Sequence, residues 1–407
     1  MKRAAVFMEN YGLGRCSVAL CLLDMLSENY QVDLFVANVW LGRSPVLSKR
    51  SVRILNINDV ESGYGLRLTD WLNALLAPRL IRSLVDHARA AIPRLRRQYE
   101  IYLSFDPRGF VRCLSLFPNA TPIYVSLELY FRDNCFNLAY PDDIMQRERE
   151  AINTMNGLVI QSPEREQLFR AEYGLDPRIP TFLLPVTQLE AAERAKSDYL
   201  CRNYRISADS KLLLHLGGIA PHHCCVEMVE AFMRTRGWVL VFHGHAYSGY
   251  VDTLRRRIKD LVMDDRVVIT TGYLDDFNDV DDILASAHVG ICWYDNVSPN
   301  FTSAGMSSGK TSAYLRFGLP VITNGYQSSR MAIETTGCGV CIDQLSGLAD
   351  ALRQIELNYE RLSRSAFEEY ERTYWFEKYR RDVARFVGAL KTPSGDGLSA
   401  RGTSCRR

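Results

Sequence analysis

The chain opens with an apolar run Ala4–Met8, a glycine-bearing loop Glu9–Gly14, a helical pattern Ser17–Leu26 and a second apolar run Val32–Val36. This is a β-loop-α-β unit, and such units bury parallel strands between layers of helix. The alternation continues through Ile101–Phe105, Ile123–Leu127 and Gly157–Gln161, which predicts one doubly wound α/β sheet for the first half. A short strand at Phe182–Pro185 and a polar helical stretch Glu190–Tyr204 mark a candidate linker. A second β-α-β series follows, with strands expected near Leu212–Leu216, Trp238–Phe242, Val267–Thr271, Val289–Trp293, Val321–Thr323 and Val340–Ile342. Phe367–Leu390 reads as one long charged helix. Its aromatic residues Tyr370, Tyr374, Trp375, Tyr379 and Phe386 predict that it packs back across the domains. The expected organisation is therefore a first Rossmann-like domain over 1–190, a second over 191–366, a returning helix over 367–390 and a disordered Gly/Ser-bearing tail over 391–407.

Composition narrows the function classes. Lys and Arg number 49 against 47 Asp and Glu, a formal charge of +2, which argues against a surface built to hold nucleic acid. Eleven cysteines come without a secretory pattern, because Met1-Lys-Arg runs straight into Ala-Ala-Val-Phe. They are expected to be reduced and the protein cytoplasmic. No apolar run reaches the ~18 residues of a membrane span, leaving peripheral attachment to an inner membrane face as the remaining expectation for membranes.

In open α/β sheets ligands bind beyond the carboxyl ends of the strands, so chemistry is sought in those loops. Gly12-Leu13-Gly14 suggests a dinucleotide fingerprint, but Ser17 stands where the third glycine belongs, and Val32–Val36 ends at Ala37-Asn38 without a carboxylate for a ribose. The loop still allows close backbone approach to a ligand on the acceptor side. Gly305-Met-Ser-Ser-Gly309-Lys310-Thr311 resembles a P-loop until its spacing is counted: three residues separate the glycines where four are needed. Its physical content survives that count. Ser307, Ser308, the Gly309 amide and Lys310 precede a helical pattern Thr311–Phe317, so hydroxyls, amides and one cation converge on a helix N-terminus suited to a diphosphate.

The string Ser308-Gly-Lys-Thr-Ser-Ala-Tyr-Leu-Arg-Phe-Gly-Leu-Pro-Val-Ile322 resembles the donor-site helix of GT-B glycosyltransferases, particularly the family-4-like enzymes. Leu214-His-Leu-Gly-Gly218 with Val226–Phe232 resembles the first donor-domain strand, glycine turn and helix of that family. Val241-Phe-His-Gly244 resembles its second strand, Val267–Leu274 and Asp282–Trp293 the next two, and Arg147–Phe169 with Ser162-Pro-Glu-Arg165 the end of the acceptor domain. The resemblance implies two Rossmann-like domains facing across a cleft. It also implies a nucleotide-diphosphate sugar, UDP- or GDP-linked, held by Gly217, Gly218, Ser307, Ser308, Gly309 and Lys310, with no cofactor. His222 and His223, after the glycine turn, can reach a donor phosphate or sugar, and His243-Gly244 the base or sugar. Two departures stand out. The paired glutamates of many retaining members fall on Gly305 and Ala313, and the Arg and Lys that clamp the diphosphate are replaced by Ile219 and His223.

A base for the acceptor hydroxyl is expected on the first domain, where Glu128 and Asp106 follow parallel strands; Glu128 is preferred, in the context Ser126-Leu-Glu-Leu-Tyr130. A helix cap or an arginine partner is the structural alternative for both. His222-His-Cys-Cys225 lacks the spacing of a zinc site, so no metal is expected, and Cys338-Gly-Val-Cys341 reads as small core residues. From Ala77 to Arg97 a basic face carries Arg79, Arg82, Arg89, Arg96 and Arg97, opposite an apolar one. It suits anionic headgroups or a lipid-carrier diphosphate, and the expected acceptor is a glycan or lipid-linked sugar in surface-polysaccharide synthesis. A non-catalytic scaffold of the same fold and a nucleotide-sugar epimerase are the rivals.

Overall fold

The computed structural model describes residues 2–9, 16–37, 44–56, 99–131, 142–247, 249–271 and 277–391. Gly12, Leu13, Gly14 and the arginines from Arg79 to Arg97 lie outside the described residues, as do 392–407 of the tail.

Two parallel sheets form. The first comprises β1 (Arg3–Glu9), β2 (Gln31–Ala37), β3 (Val52–Asn56), β4 (Ile101–Phe105), β5 (Ile123–Val125), β6 (Gly157–Ile160) and β7 (Thr181–Leu183), in spatial order 3-2-1-4-5-6-7. The second comprises β8 (Lys211–Leu216), β9 (Trp238–Gly244), β10 (Val267–Thr271), β11 (Val289–Cys292), β12 (Val321–Asn324) and β13 (Gly339–Ile342), in order 10-9-8-11-12-13. Successive side chains of a strand point to opposite faces. In β1, Ala4, Val6 and Met8 accordingly join one core while Ala5 and Phe7 join another. In β8, Leu212, Leu214 and Leu216 oppose Leu213 in the same way. Both faces are covered by helices, which is why these strands read as continuous apolar runs. Strand order reverses between β1 and β4 in the first sheet and between β8 and β11 in the second, and these reversals are where crevices open.

Two expectations need correction. The stretch Glu190–Tyr204 is helical only over Tyr199–Tyr204. Upstream, the backbone is bonded to the second domain instead: Glu193 N–H donates to the Arg316 carbonyl at 2.9 Å, Ser197 N–H to that of Ala285 at 3.3 Å, and Arg316 Nε to that of Ala191 at 3.2 Å. Tertiary partners outcompete the helical ladder there.

Nor is Phe367–Leu390 one helix. Helix Tyr359–Glu369 passes into a π-helical turn Tyr370–Tyr374, Trp375 is extended, and a separate helix runs Glu377–Ala389. Tyr370 and Tyr374 are buried in the core of the second sheet, whereas Phe376, Val383 and Val387 are buried in that of the first. No straight helix can serve both cores, so the chain breaks where it crosses. At the break, Gln188 N–H donates to the Tyr374 carbonyl and Phe376 N–H to the Gln188 carbonyl, each at 2.9 Å, pairing the two interdomain passages of the chain. Arg380 of the returning helix then pairs with Asp24 at 2.8 Å and Glu28 at 2.6 Å. Among the described residues no helix is long and apolar enough to cross a membrane.

Candidate active site

The loop after β8 lies at the reversal point of the second sheet. Gly217 has φ +109° and Gly244, at the end of β9, φ +148°. A Cβ on Gly244 would lie 2.0 Å from the Gly217 carbonyl oxygen, so the two turns stack only because Gly244 carries no side chain. A Cβ on Gly217 would stand 3.0 Å from Cε of Lys310. The Lys310 side chain therefore lies along the glycine turn.

Lys310 comes from helix Gly309–Arg316, whose N-cap is Ser308. Ser308 Oγ accepts from Thr311 N–H at 3.4 Å, while the amides of Gly309 and Lys310, in the first turn, have no intrahelical acceptor. The Lys310 ammonium sits 3.5 Å from Nε2 of His223 and 4.5 Å from the centre of the Tyr294 ring. His223 Nδ1 lies 3.2 Å from the Trp293 carbonyl and 3.3 Å from the Lys310 ammonium, so both of its ring nitrogens are within reach of that cation. His215 donates from Nε2 to the Gly218 carbonyl at 3.0 Å. His222 stacks on Phe301 with centroids 5.3 Å apart, and Phe301 stacks on Tyr294 at 5.1 Å.

Burial pulls Lys310 down to about 8. Burial and then the Lys310 charge push His215 down to about 3 and lower His222 and His223 as well. Three neutral imidazoles thus surround one cation. Among the described residues no carboxylate pairs with Lys310, whose electrostatic partners are the thiols of Cys292 and Cys225. A desolvated cation facing amides, imidazoles and an aromatic ring is a site electrostatically short of one anion.

The predicted serines sit at this helix but turn inward. Ser308, buried, shares a hydrogen bond of 2.9 Å with the Tyr294 hydroxyl. Ser307 Oγ accepts from Arg165 Nη1 at 3.0 Å. His243 is also turned to a protein partner, with Nδ1 2.5 Å from Thr270 Oγ1. Gly309 is exposed. The four residues of His222-His-Cys-Cys225 diverge: His222 meets Phe301, His223 meets Trp293, Cys224 takes a left-handed conformation, and Cys225 Sγ points to the Ala220 carbonyl.

On the opposite wall, Asp106 is buried at the start of helix Asp106–Leu116 with φ +53°. Its Oδ1 accepts from the amides of Leu127 at 2.7 Å and Glu128 at 3.3 Å, so it shapes the loop that carries Glu128. The Glu128 side chain is 41% exposed and lies 4.0 Å from Arg165. Partial burial raises its pKa above the usual carboxylate range, which disfavours ionisation, and Arg165 opposes that rise. The walls meet at Asn300, whose Oδ1 accepts from Leu129 N–H at 2.6 Å and whose Nδ2 donates to the Leu129 carbonyl at 3.0 Å.

The missing carboxylates have a steric counterpart. A Cβ at Gly305 would lie 2.1 Å from the Ser328 carbonyl oxygen, so no glutamate fits there without moving backbone. Sequence reasoning did not single out Arg165, Asn300, Tyr294, Phe301 or His215 as site residues. Tyr294 and His215 carried the available signal, since both flank the carboxyl ends of the two strands at the reversal point. Arg165 and Asn300 carried none, because the bonds that bring them together, and Asn300 to Leu129, cross between the domains.

Residues 266–370 match the family described as Glucosyltransferase 3-like, C-terminal domain. No curated protein matches the chain. Among solved structures, Anabaena HepE in complex with UDP and glucose superposes with a TM-score of 0.66 at 12% identity, over 96% of this chain and 100% of that one. Sucrose-phosphate synthase from Thermosynechococcus elongatus gives 0.66 at 13%, over 96% and 99%. WaaG, a glycosyltransferase involved in lipopolysaccharide biosynthesis, gives 0.62 at 13%, over 94% and 99%. The fold is the GT-B fold of glycosyltransferases: two facing Rossmann-like sheets with a C-terminal helix returning to the first.

Proposed function

We propose that the protein is a glycosyltransferase that moves a sugar from a nucleotide-diphosphate donor to a hydroxyl of a glycan or lipid-linked acceptor. The observation that carries this reading is Lys310, a cation without a carboxylate partner among the described residues, laid along the Gly217–Gly218 turn at the mouth of the reversal point. A donor diphosphate supplies the missing anion. Lys310, the Gly309 and Lys310 amides and the helix N-terminus would offset charge on the departing diphosphate, in a scheme that calls on no metal ion or cofactor. Glu128 would accept the proton of the acceptor hydroxyl as its oxygen attacks the anomeric carbon and the bond to the diphosphate breaks. Lys310 here takes the place of the Arg and Lys absent after the glycine turn. UDP is the favoured nucleotide, since HepE binds UDP and UDP-glucose in the same fold.

The acceptor side has a cationic feature of its own. A cavity of about 250 Å³ between helices Asp106–Leu116 and Asp142–Ala151 is lined by Arg108, Arg112, Ser115, Asp143 and Arg147. It suits an anionic portion of an acceptor, consistent with polysaccharide or lipid-linked synthesis at a cytoplasmic membrane surface. Loss of carboxylates at Gly305 and Ala313 favours one rival, a scaffold that keeps the fold without turnover.

A binding panel of UDP, GDP, CDP, TDP and ADP on wild type and Lys310→Ala separates these readings. Stabilisation by one nucleotide that is lost in the variant supports the transferase. Silence across the panel in folded protein moves the assignment to the scaffold, and conversion of a free nucleotide sugar without acceptor to an epimerase.

A further inference from the structure

Arg165 is 1% exposed, yet its partners come from both walls of the cleft. It rises from helix Pro163–Tyr173 of the first domain. Its Nη2 donates to the Leu127 carbonyl at 3.0 Å on its own side and to Asn300 Oδ1 at 3.1 Å on the other, and Nη1 donates to Ser307 Oγ at 3.0 Å. Its ion-pair partner among the described residues is Glu128, at 4.0 Å, too far for a direct hydrogen bond. A buried guanidinium tied mainly to neutral oxygens is costly unless its position does something. This position presents it to Glu128 without neutralising the carboxylate by a tight bidentate pair.

We infer that Arg165 is a positioning residue that couples closure of the cleft to the ionisation of Glu128, because Ser307 and Asn300 of the opposite domain hold its guanidinium beside that carboxylate. The inference rests on the reading of Glu128 as the group that receives the acceptor proton. When the domains part, the two bonds from the second domain are lost, the guanidinium is released to turn toward water, and Glu128 loses its nearest cation. In the closed cleft the guanidinium opposes the rise that burial gives Glu128, so the carboxylate that can take a proton is favoured more than burial alone would allow. The groups facing Arg165 are Glu128, Asp106, Glu164 and Tyr130. Among the described residues, those facing Glu128 are Arg165 on its own wall, Cys16 at the start of helix Ser17–Asn29, and Tyr294 across the cleft. None of these others brings a second cation.

The titration needs no knowledge of the substrate. The full chain is prepared with carboxyl-¹³C glutamate, and the Glu128 resonance is identified by its loss in Glu128→Gln. Its titration midpoint is then compared among wild type, Arg165→Gln, Arg165→Lys and Asn300→Ala. Arg165→Gln is expected to raise the midpoint by about one pH unit. Asn300→Ala, which removes no charged group, is expected to raise it by part of that amount, and Arg165→Lys to fall between wild type and Arg165→Gln. An unchanged midpoint in Arg165→Gln overturns the inference. So does a midpoint that moves in Arg165→Gln but not in Asn300→Ala, since the charge would then act without the opposite domain. If Arg165→Gln does not fold, Asn300→Ala decides alone. Turnover of Glu128→Gln is a separate arm: if it is retained, the base assignment fails even where the titrations behave as expected.

Discussion

The Lys310 ammonium lies 4.5 Å from the centre of the Tyr294 ring, and the hydroxyl of that ring is bonded at 2.9 Å to Ser308, the cap of the helix that carries Lys310. One side chain thus serves as both a cation–π platform and a support for the helix N-terminus. The cation is held where helix amides and the Gly217 turn converge, without a carboxylate among the described residues to quench it. An anion that enters gains the charge, the amides and the turn together.

Lys310→Gln is expected to weaken UDP binding by roughly 10- to 100-fold, the loss of one charge-assisted hydrogen bond. The free protein should become no less stable, as read from its Tm, since the variant also removes a desolvated charge that has no carboxylate partner among the described residues. Calorimetry of binding beside thermal unfolding checks both parts. A variant that loses stability and binding together would assign Lys310 a structural role.

Binding of UDP should weaken as pH rises past about 8, the value to which burial pulls Lys310 in the free protein. Below it the ammonium is present; above it binding must take up a proton, which lowers apparent affinity by at most about tenfold per pH unit. His215, His222 and His223 stay neutral across this range, so they add no opposing slope. Isothermal titration at pH 7, 8 and 9 should show the decline in wild type and a flat profile in Lys310→Gln.

Glu128→Gln is expected to lower kcat by about 10²- to 10⁴-fold, the usual contribution of a general base, while nucleotide affinity stays within twofold. Steady-state turnover with a nucleotide-sugar donor, beside calorimetry with UDP, separates the two quantities. Weakened UDP binding with unchanged kcat would place Glu128 on the donor side instead.

Glu148 provides a stability prediction away from the cleft. It is fully buried, accepts hydrogen bonds from the hydroxyls of Tyr124 and, at 2.7 Å, Tyr173, and burial raises it to about 8. The folded protein therefore holds a proton that the unfolded chain releases near its ordinary value of 4.5. Between these values the native state binds more protons, so stability falls as pH rises, by at most about 1.4 kcal/mol per unit from this group. Glu148→Gln should flatten that slope from pH 5 to 8 in chemical denaturation. A slope equal to that of wild type would show that Glu148 is ionised in the folded protein.

Strand alternation, the two β-α-β series and the glycine turn at Gly217 were legible because they are local. A buried parallel strand is an apolar run, and a tight turn at positive φ selects glycine, whatever lies elsewhere in the chain. The Ser308–Lys310 helix start was legible for the same reason, since a cap and a first turn are adjacent in sequence. What sequence left open is decided by partners far along the chain. Lys310 meets His223 across 87 positions and Arg165 meets Ser307 across 142. The returning helix breaks at Trp375 because its two ends belong to different cores, although its composition reads as continuous. Sequence alone thus determined the two sheets and the ends of the strands where a ligand can enter. The tertiary structure decided that Lys310 lies against His223 and Tyr294, and which arginine spans the cleft beside Glu128, because these contacts join residues far apart in sequence and the latter forms only when two separately patterned domains close on each other.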